Sequence, residues 1–173
     1  MDNQKKFCDR CGRLYTGKKC TCKTDMPKKK RQYNNKTHDT FYDGTYWKAL
    51  RNAVRVRDFN TDRMALCCAK YGSVDQLINL QNYDPLTAFD MRNVYNLLYD
   101  LLIDKTGQPK QTTGRLLVHH IKTRFECPDR QYDMDNLITL GNDTHEFVHM
   151  IYNTHRKEAL QTLLLAVVQA QLP

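Results

Sequence analysis

The chain has 173 residues, of which 40% are hydrophobic and 27% charged, too apolar for a fully disordered chain and sufficient for one main folded domain with a small appendage. Its longest uninterrupted apolar run, Leu163 to Val168, is six residues, far short of the ~18–20 of a membrane-spanning helix, so no membrane partner is expected. The net charge of +8 lies wholly in residues 1–39, which carry twelve Lys/Arg against four Asp/Glu, while residues 40–173 carry 15 of each sign. A cationic arm on a neutral body suits a polyanion, most simply nucleic acid; a solubilising tail is the plain alternative.

The first ten residues, MDNQKKFCDR, show no apolar stretch after their charges. A secretory signal is therefore not expected, and a cytoplasmic chain with reduced cysteines is. Four of the seven cysteines then follow as two close pairs, Cys8-x-x-Cys11 and Cys20-x-Cys22. Four thiolates satisfy tetrahedral zinc and leave no open position, so residues 1–24 read as a module holding one structural zinc, whose binding supplies the folding energy so short a segment lacks. Disulfides are the alternative, disfavoured in a reducing compartment. Residues 25–40 form a basic linker in which Lys28, Lys29, Lys30 and Arg31 are candidate phosphate contacts. Cys67, Cys68 and Cys127 have no such spacing and read as free thiols.

From residue 44 the pattern turns helical, with Trp47, Leu50 and Val54 at helical spacing. A short helix is predicted over 62–71, stopping at Gly72, and a longer one over 85–104, opened by Pro85, with Leu86, Phe89, Val94, Leu97, Leu98, Leu101 and Leu102 as its apolar stripe. Residues 105–114 are a loop. RLLVHHI (115–121) and Leu137–Leu140 read as strands around a polar loop, and Gly141-Asn142-Asp143 breaks the second strand and offers a cap for a helix over 143–152. A last helix follows over 155–170. The order is mostly α, with a β-β-α insert.

Five of the six histidines fall between 119 and 155. His145 and His149, four apart, share one helical face and could hold a metal from the helix, whereas Phe147 and Ile151 would face the core. Such a pair alone is more often solvent-facing. His38 and His155 read as surface residues. Neighbours on a regular strand point to opposite faces, so His119 and His120 share a cleft only where the strand ends or bends.

Together, LLVHHI, DMDNLITL and THEFVHMI resemble the ββα-metal core of HNH endonucleases, and Tyr132-Asp133-Met134-Asp135-Asn136 followed by His145-x-x-x-His149 is similar to the DNase colicins. FYDGTYWKALRNAVRVRD (41–58) resembles the leading helix of phage-encoded HNH nucleases. The Cys-x-x-Cys pairs common in those phage proteins are missing here, since Cys67-Cys68 are adjacent and Gly141 and Thr144 stand at the second pair's positions.

The resemblance implies an α+β, mostly helical fold with an HNH domain over 41–173 and its ββα core over about 115–152. It implies a phage-type hydrolase that nicks or cuts double-stranded DNA, leaving a 5′-phosphate and a 3′-hydroxyl, with terminase or other packaging proteins as further partners. His120 would be the general base, Asn136 would orient its loop, and His119, His145 and His149 would ligate one catalytic divalent metal. Three imidazoles suit Zn, Ni, Co or Mn better than Mg, although many relatives use Mg. Arg115, Lys122 and Arg124 could touch phosphates or be solvated loop charges, and Asp133 and Asp135 read as turn residues before ligands. The competing reading is a non-catalytic zinc-containing module that binds DNA or protein.

Overall fold

The computed structural model describes residues 6–7, 14–15, 40–111 and 114–172. Cys8, Cys11, Cys20, Cys22, Lys28, Lys29, Lys30 and Arg31 lie outside the described residues. The chain divides into two units, Met1–Phe41 and Tyr42–Pro173. In the first, β1 (Lys6–Phe7) pairs antiparallel with β2 (Leu14–Tyr15).

The second unit is mostly helical with one small antiparallel sheet, an α+β arrangement. Its helices are α1 (Thr45–Arg57), α2 (Arg63–Tyr71), the single turn α3 (Val74–Leu77) and α4 (Pro85–Leu102). The hairpin strands β3 (Leu116–His120) and β4 (Leu137–Gly141) come next, then α5 (Asn142–Tyr152) and α6 (Lys157–Gln169). Local chemistry sets the boundaries. Asp62 caps α2 by accepting from the Ala65 N–H, and Gly72 ends it in the left-handed region at φ 64°. Asp84 accepts from the Leu86 and Thr87 N–H groups ahead of Pro85, where a missing N–H costs nothing. No helix among the described residues is long and apolar enough to cross a membrane.

The apolar stripe predicted for α4 is corrected. Ala88, Met91, Val94, Tyr95, Leu98 and Leu102 face the core, whereas Leu86, Phe89, Leu97 and Leu101 are exposed. Seven apolar residues at 100° per residue wrap more than one face, and only the part that meets α2 and α6 is buried. Facing it, α6 buries Leu160, Leu163, Leu164 and Val167. Cys67 and Cys68 are buried free thiols in the same core.

The hairpin register pairs Leu116 with Gly141, His119 with Ile138 and His120 with Leu137. Period-two alternation therefore gives the sheet two working faces. Leu117, His119, Ile138 and Leu140 share one, and Ile138 and Leu140 join the main core. His120, Leu137 and Thr139 share the other, which meets α1.

Two buried carboxylates lock β4 to the α1–α2 corner. Asp58, fully buried, accepts from the Thr139 N–H at 2.8 Å, from Arg57 Nε at 2.8 Å and from an Arg63 guanidinium nitrogen at 3.1 Å. Asp62 accepts from the Gly141 N–H at 2.8 Å and from the Thr144 hydroxyl. Both arginines are used again. Arg57 donates to the Met134 and Leu137 carbonyls, and Arg63 to those of Val167, Val168 and Ala170 at the end of α6, groups a helix terminus otherwise leaves unpaired. Between the two carboxylates Phe59 and Asn60 both adopt left-handed backbone, at φ 57° and 51°. That conformation costs a phenylalanine about 1 kcal/mol or more and persists where its surroundings over-determine it.

Asp58→Ala strands the Arg63 charge and the Thr139 N–H in the interior, and a loss of about 3–5 kcal/mol is expected in urea unfolding. Asp75→Ala, which breaks the exposed, solvent-screened pair with Arg92 at 2.7 Å, should cost far less. Equal losses would show that the Asp58 network does not hold the corner.

Candidate metal centre and its flanking histidine

His119 stands near the end of β3, on the face that α5 covers, and His145 and His149 project from one side of α5 a turn apart. One nitrogen from each lies within 4.8 Å of the other two, and among the described residues this is the one such group of metal-ligating side chains. The Nε2 atoms of His145 and His149 are 3.2 Å apart. Two imidazole nitrogens bound to one tetrahedral ion at ~2.0–2.1 Å stand about 3.3 Å apart. The His119 ring meets the other two edge-on, with centroids 5.1 Å from each.

His119 carries the sharpest signal. Its Nε2 is buried and has no hydrogen-bond partner among the described residues. A stranded buried nitrogen calls for a missing partner, and two further imidazoles converge beside it. Burial, then the neighbouring His145, His149 and His120, push its pKa down to about 3. Burial, then His149, lowers that of His145, against a small opposing effect of Glu146. Such rings are neutral near pH 7, the form in which imidazole ligates a metal. The three donors fit a divalent ion that accepts nitrogen ligands.

Tyr152 frames the trio. It follows His149 by three residues, its ring centroid lies 5.4 Å from that of His119, and its hydroxyl donates to the Ile121 carbonyl.

His120 is not part of the trio. It ends β3, and its ring leaves by the other face to stack on Trp47 of α1, centroids 5.1 Å apart and planes 13° from parallel. The strand stops at this pair without drawing both rings into one coordination sphere. His120 Nε2 lies 3.0 Å from the Gln131 carbonyl oxygen. A carbonyl only accepts, so Nε2 carries the proton and Nδ1 is the basic nitrogen of the neutral ring. Burial depresses the pKa, partly opposed by the Gln131 bond and reinforced by Arg124.

Asn136 sets the loop that supplies that carbonyl. It is fully buried; its Oδ1 accepts from the Lys122 N–H at 2.8 Å, and its Nδ2 donates to the Lys122 and Arg130 carbonyls at 2.9 and 3.1 Å. Both ends of the 122–135 loop are thus pinned by one amide. Asp133 and Asp135 act within a turn: Asp133 accepts from the Asp135 N–H and pairs with Arg130 at 2.7 Å. Arg115 is exposed, Lys122 half-buried, and the Arg124 guanidinium sits over the Tyr42 ring at 5.4 Å.

Sequence reasoning missed Trp47 as the platform for His120, Tyr152 as the frame of the trio, and the Gln131 carbonyl. Tyr152 had a signal, since it lies on the same helical face as His145 and His149. A backbone carbonyl has none. Comparisons of the chain with protein-family models, with curated proteins and with solved structures gave no match.

Two outcomes test the cluster. Zinc or cobalt added at ~100 times its dissociation constant to the metal-free chain with Cys8, Cys11, Cys20 and Cys22 replaced by serine should raise stability by about 2.7 kcal/mol, and His149→Ala should abolish the shift; a shift that survives would place the ion elsewhere. The sign for pH follows from His119. Its folded pKa of about 3 lies below the unfolded value of ~6.5, so its contribution to stability is present above about pH 6.5 and is lost as pH falls toward 3. Between about pH 7 and about pH 4.5 the metal-free chain should weaken in urea, and His119→Asn, with no imidazole to protonate, should weaken less. Parallel loss in both would remove His119 from the account.

Proposed function

We propose that the chain is a metal-dependent endonuclease of the HNH type that hydrolyses DNA phosphodiester bonds, with β3, β4 and α5 as its ββα-metal core. One observation carries this reading. Two imidazoles converge on the stranded buried nitrogen of a third, while a fourth, the residue after that third along the chain, is seated apart with its proton fixed on one atom. Those are two different tasks, metal holding and proton transfer.

His119, His145 and His149 would hold the ion. When bound, a divalent ion supplies Lewis-acid stabilisation of the charge that builds on the phosphate. His120 takes a proton at Nδ1 from the water whose oxygen forms the new bond to phosphorus, as the bond to the 3′-oxygen breaks. Its depressed pKa keeps it neutral and able to accept. The Trp47 face and the Gln131 carbonyl hold the ring in one orientation, and Asn136 holds Gln131 in place through the loop. The charge of +8, confined to the first 39 residues, favours a polyanionic substrate without reading its sequence. DNA rather than RNA rests on the resemblance of the motif.

Nicking of supercoiled plasmid tests the proposal. Activity should require a divalent ion, vanish with chelator, and fall about 10²- to 10⁴-fold in His120→Ala, the range that general-base catalysis contributes. A His120→Ala chain that nicks at the full rate would remove the catalytic assignment. A wild-type chain inert with every divalent ion would favour the non-catalytic binding module.

A further inference from the structure

Phe125 stands at the tip of the 122–135 loop with 98% of its surface exposed. An exposed phenyl on a floppy loop would mean little, but this turn is fixed. The Thr123 N–H donates to Glu126 Oε2 at 2.8 Å, and the Glu126 N–H returns a bond to Thr123 Oγ1 at 3.3 Å. The Glu126 and Cys127 N–H groups both donate to the Thr123 carbonyl at 3.0 Å. Glu126 is in turn anchored on α6, by an ion pair with Lys157 and a bond from Gln161 Nε2 at 3.2 Å. None of these bonds uses the side chain of residue 125, so the turn does not depend on a phenyl group there.

The same anchors tie the turn to the metal centre. Gln161 Nε2 and the Tyr152 hydroxyl both donate to the Ile121 carbonyl at the root of the loop, and the Lys157 ammonium that holds Glu126 lies over the Tyr152 ring. That ring packs against His119. Lys122 and Arg124 precede the phenyl along the chain. The arrangement is an apolar point preceded by two cations, followed by the Lys157-paired Glu126, and braced by the residues that frame the histidine trio.

We propose that Phe125 is a wedge that enters the base stack of duplex DNA beside the scissile phosphate. The inference rests on the nuclease reading and deepens it. Apolar side chains that intrude at a base step unstack it and kink the duplex, and the bent backbone then reaches more of the protein surface. Phosphate contacts alone position the duplex without reading its sequence. The wedge adds a preference for steps that unstack cheaply, pyrimidine–purine steps above all.

The experiment uses the full chain with its metals in place and duplexes with phosphorothioate linkages, which resist cutting, carrying 2-aminopurine, whose fluorescence rises when it leaves the stack. Wild-type chain should raise the signal, most at a TA or CA step. Phe125→Ala should abolish the rise and weaken binding about tenfold, within the range of a lost base–aromatic contact, whereas Phe125→Leu should keep both. A rise undiminished in Phe125→Ala overturns the inference. So does a wild-type chain that binds without any rise, which would assign the phenyl to another partner such as a protein surface. Plasmid nicking by the wild-type chain separates this from the parent reading: nicking without a fluorescence rise removes the wedge and leaves the nuclease, and a rise without nicking does the reverse.

Discussion

The carboxylate of Asp58 sits in the interior, reached by two guanidinium groups and by one backbone N–H of β4. A buried charge is tolerated where every lone pair is used and partners neutralise it. Here that requirement dictates the architecture. Asp58 and Asp62 grip β4 at Thr139 and Gly141, Arg57 takes the carbonyls just before and within the strand, and Arg63 closes the end of α6. One corner of four charged residues therefore fixes the hairpin, the leading helix and the last helix against one another. It also fixes the start of α5, because Asp62 bonds Thr144, the residue before His145.

That coupling positions the metal centre. His119 is placed by the hairpin, and His145 and His149 by α5. The three nitrogens stay within 4.8 Å only if helix and hairpin keep their relative position. A buried nitrogen without a partner costs free energy and does not favour folding. The scaffold supplies that stability from elsewhere, from the α2–α4–α6 core and the Asp58–Arg63 corner, as is usual where a site holds polar groups ready for an absent partner.

Periodicity made the hairpin, the helices and the His145–His149 pair legible, whereas His119 as their third partner rested on the resemblance of the motif. Strand alternation sends His119 and His120 to opposite faces, and helical spacing aligns His145 with His149. Asn136 was recognisable from the motif, although its three loop bonds were not. The corner was illegible for a different reason. Arg57, Asp58, Asp62 and Arg63 read as ordinary surface charges on a helix end and a turn, and nothing local reveals that both carboxylates are buried. The α4 stripe failed from the same gap. Apolar residues around much of the helix state that it is apolar, and the neighbours α2 and α6 decide which side is covered.

The separation of His119 from His120 is the feature that gives the site its logic. Were both rings in one cluster, each would compete for the same ion, and a histidine bound through its basic nitrogen cannot accept a proton. Alternation along β3 keeps the two functions adjacent in sequence and distinct in space. His119 is left with a stranded nitrogen among imidazoles, and His120 with its proton committed to the Gln131 carbonyl and its ring clamped on Trp47. Because Asn136 determines where Gln131 stands, the orientation of His120 depends on a loop rather than on the metal ligands. On the proposed nuclease reading, proton acceptance and ion binding can then be altered independently of each other, so that the base remains available while the ion is held.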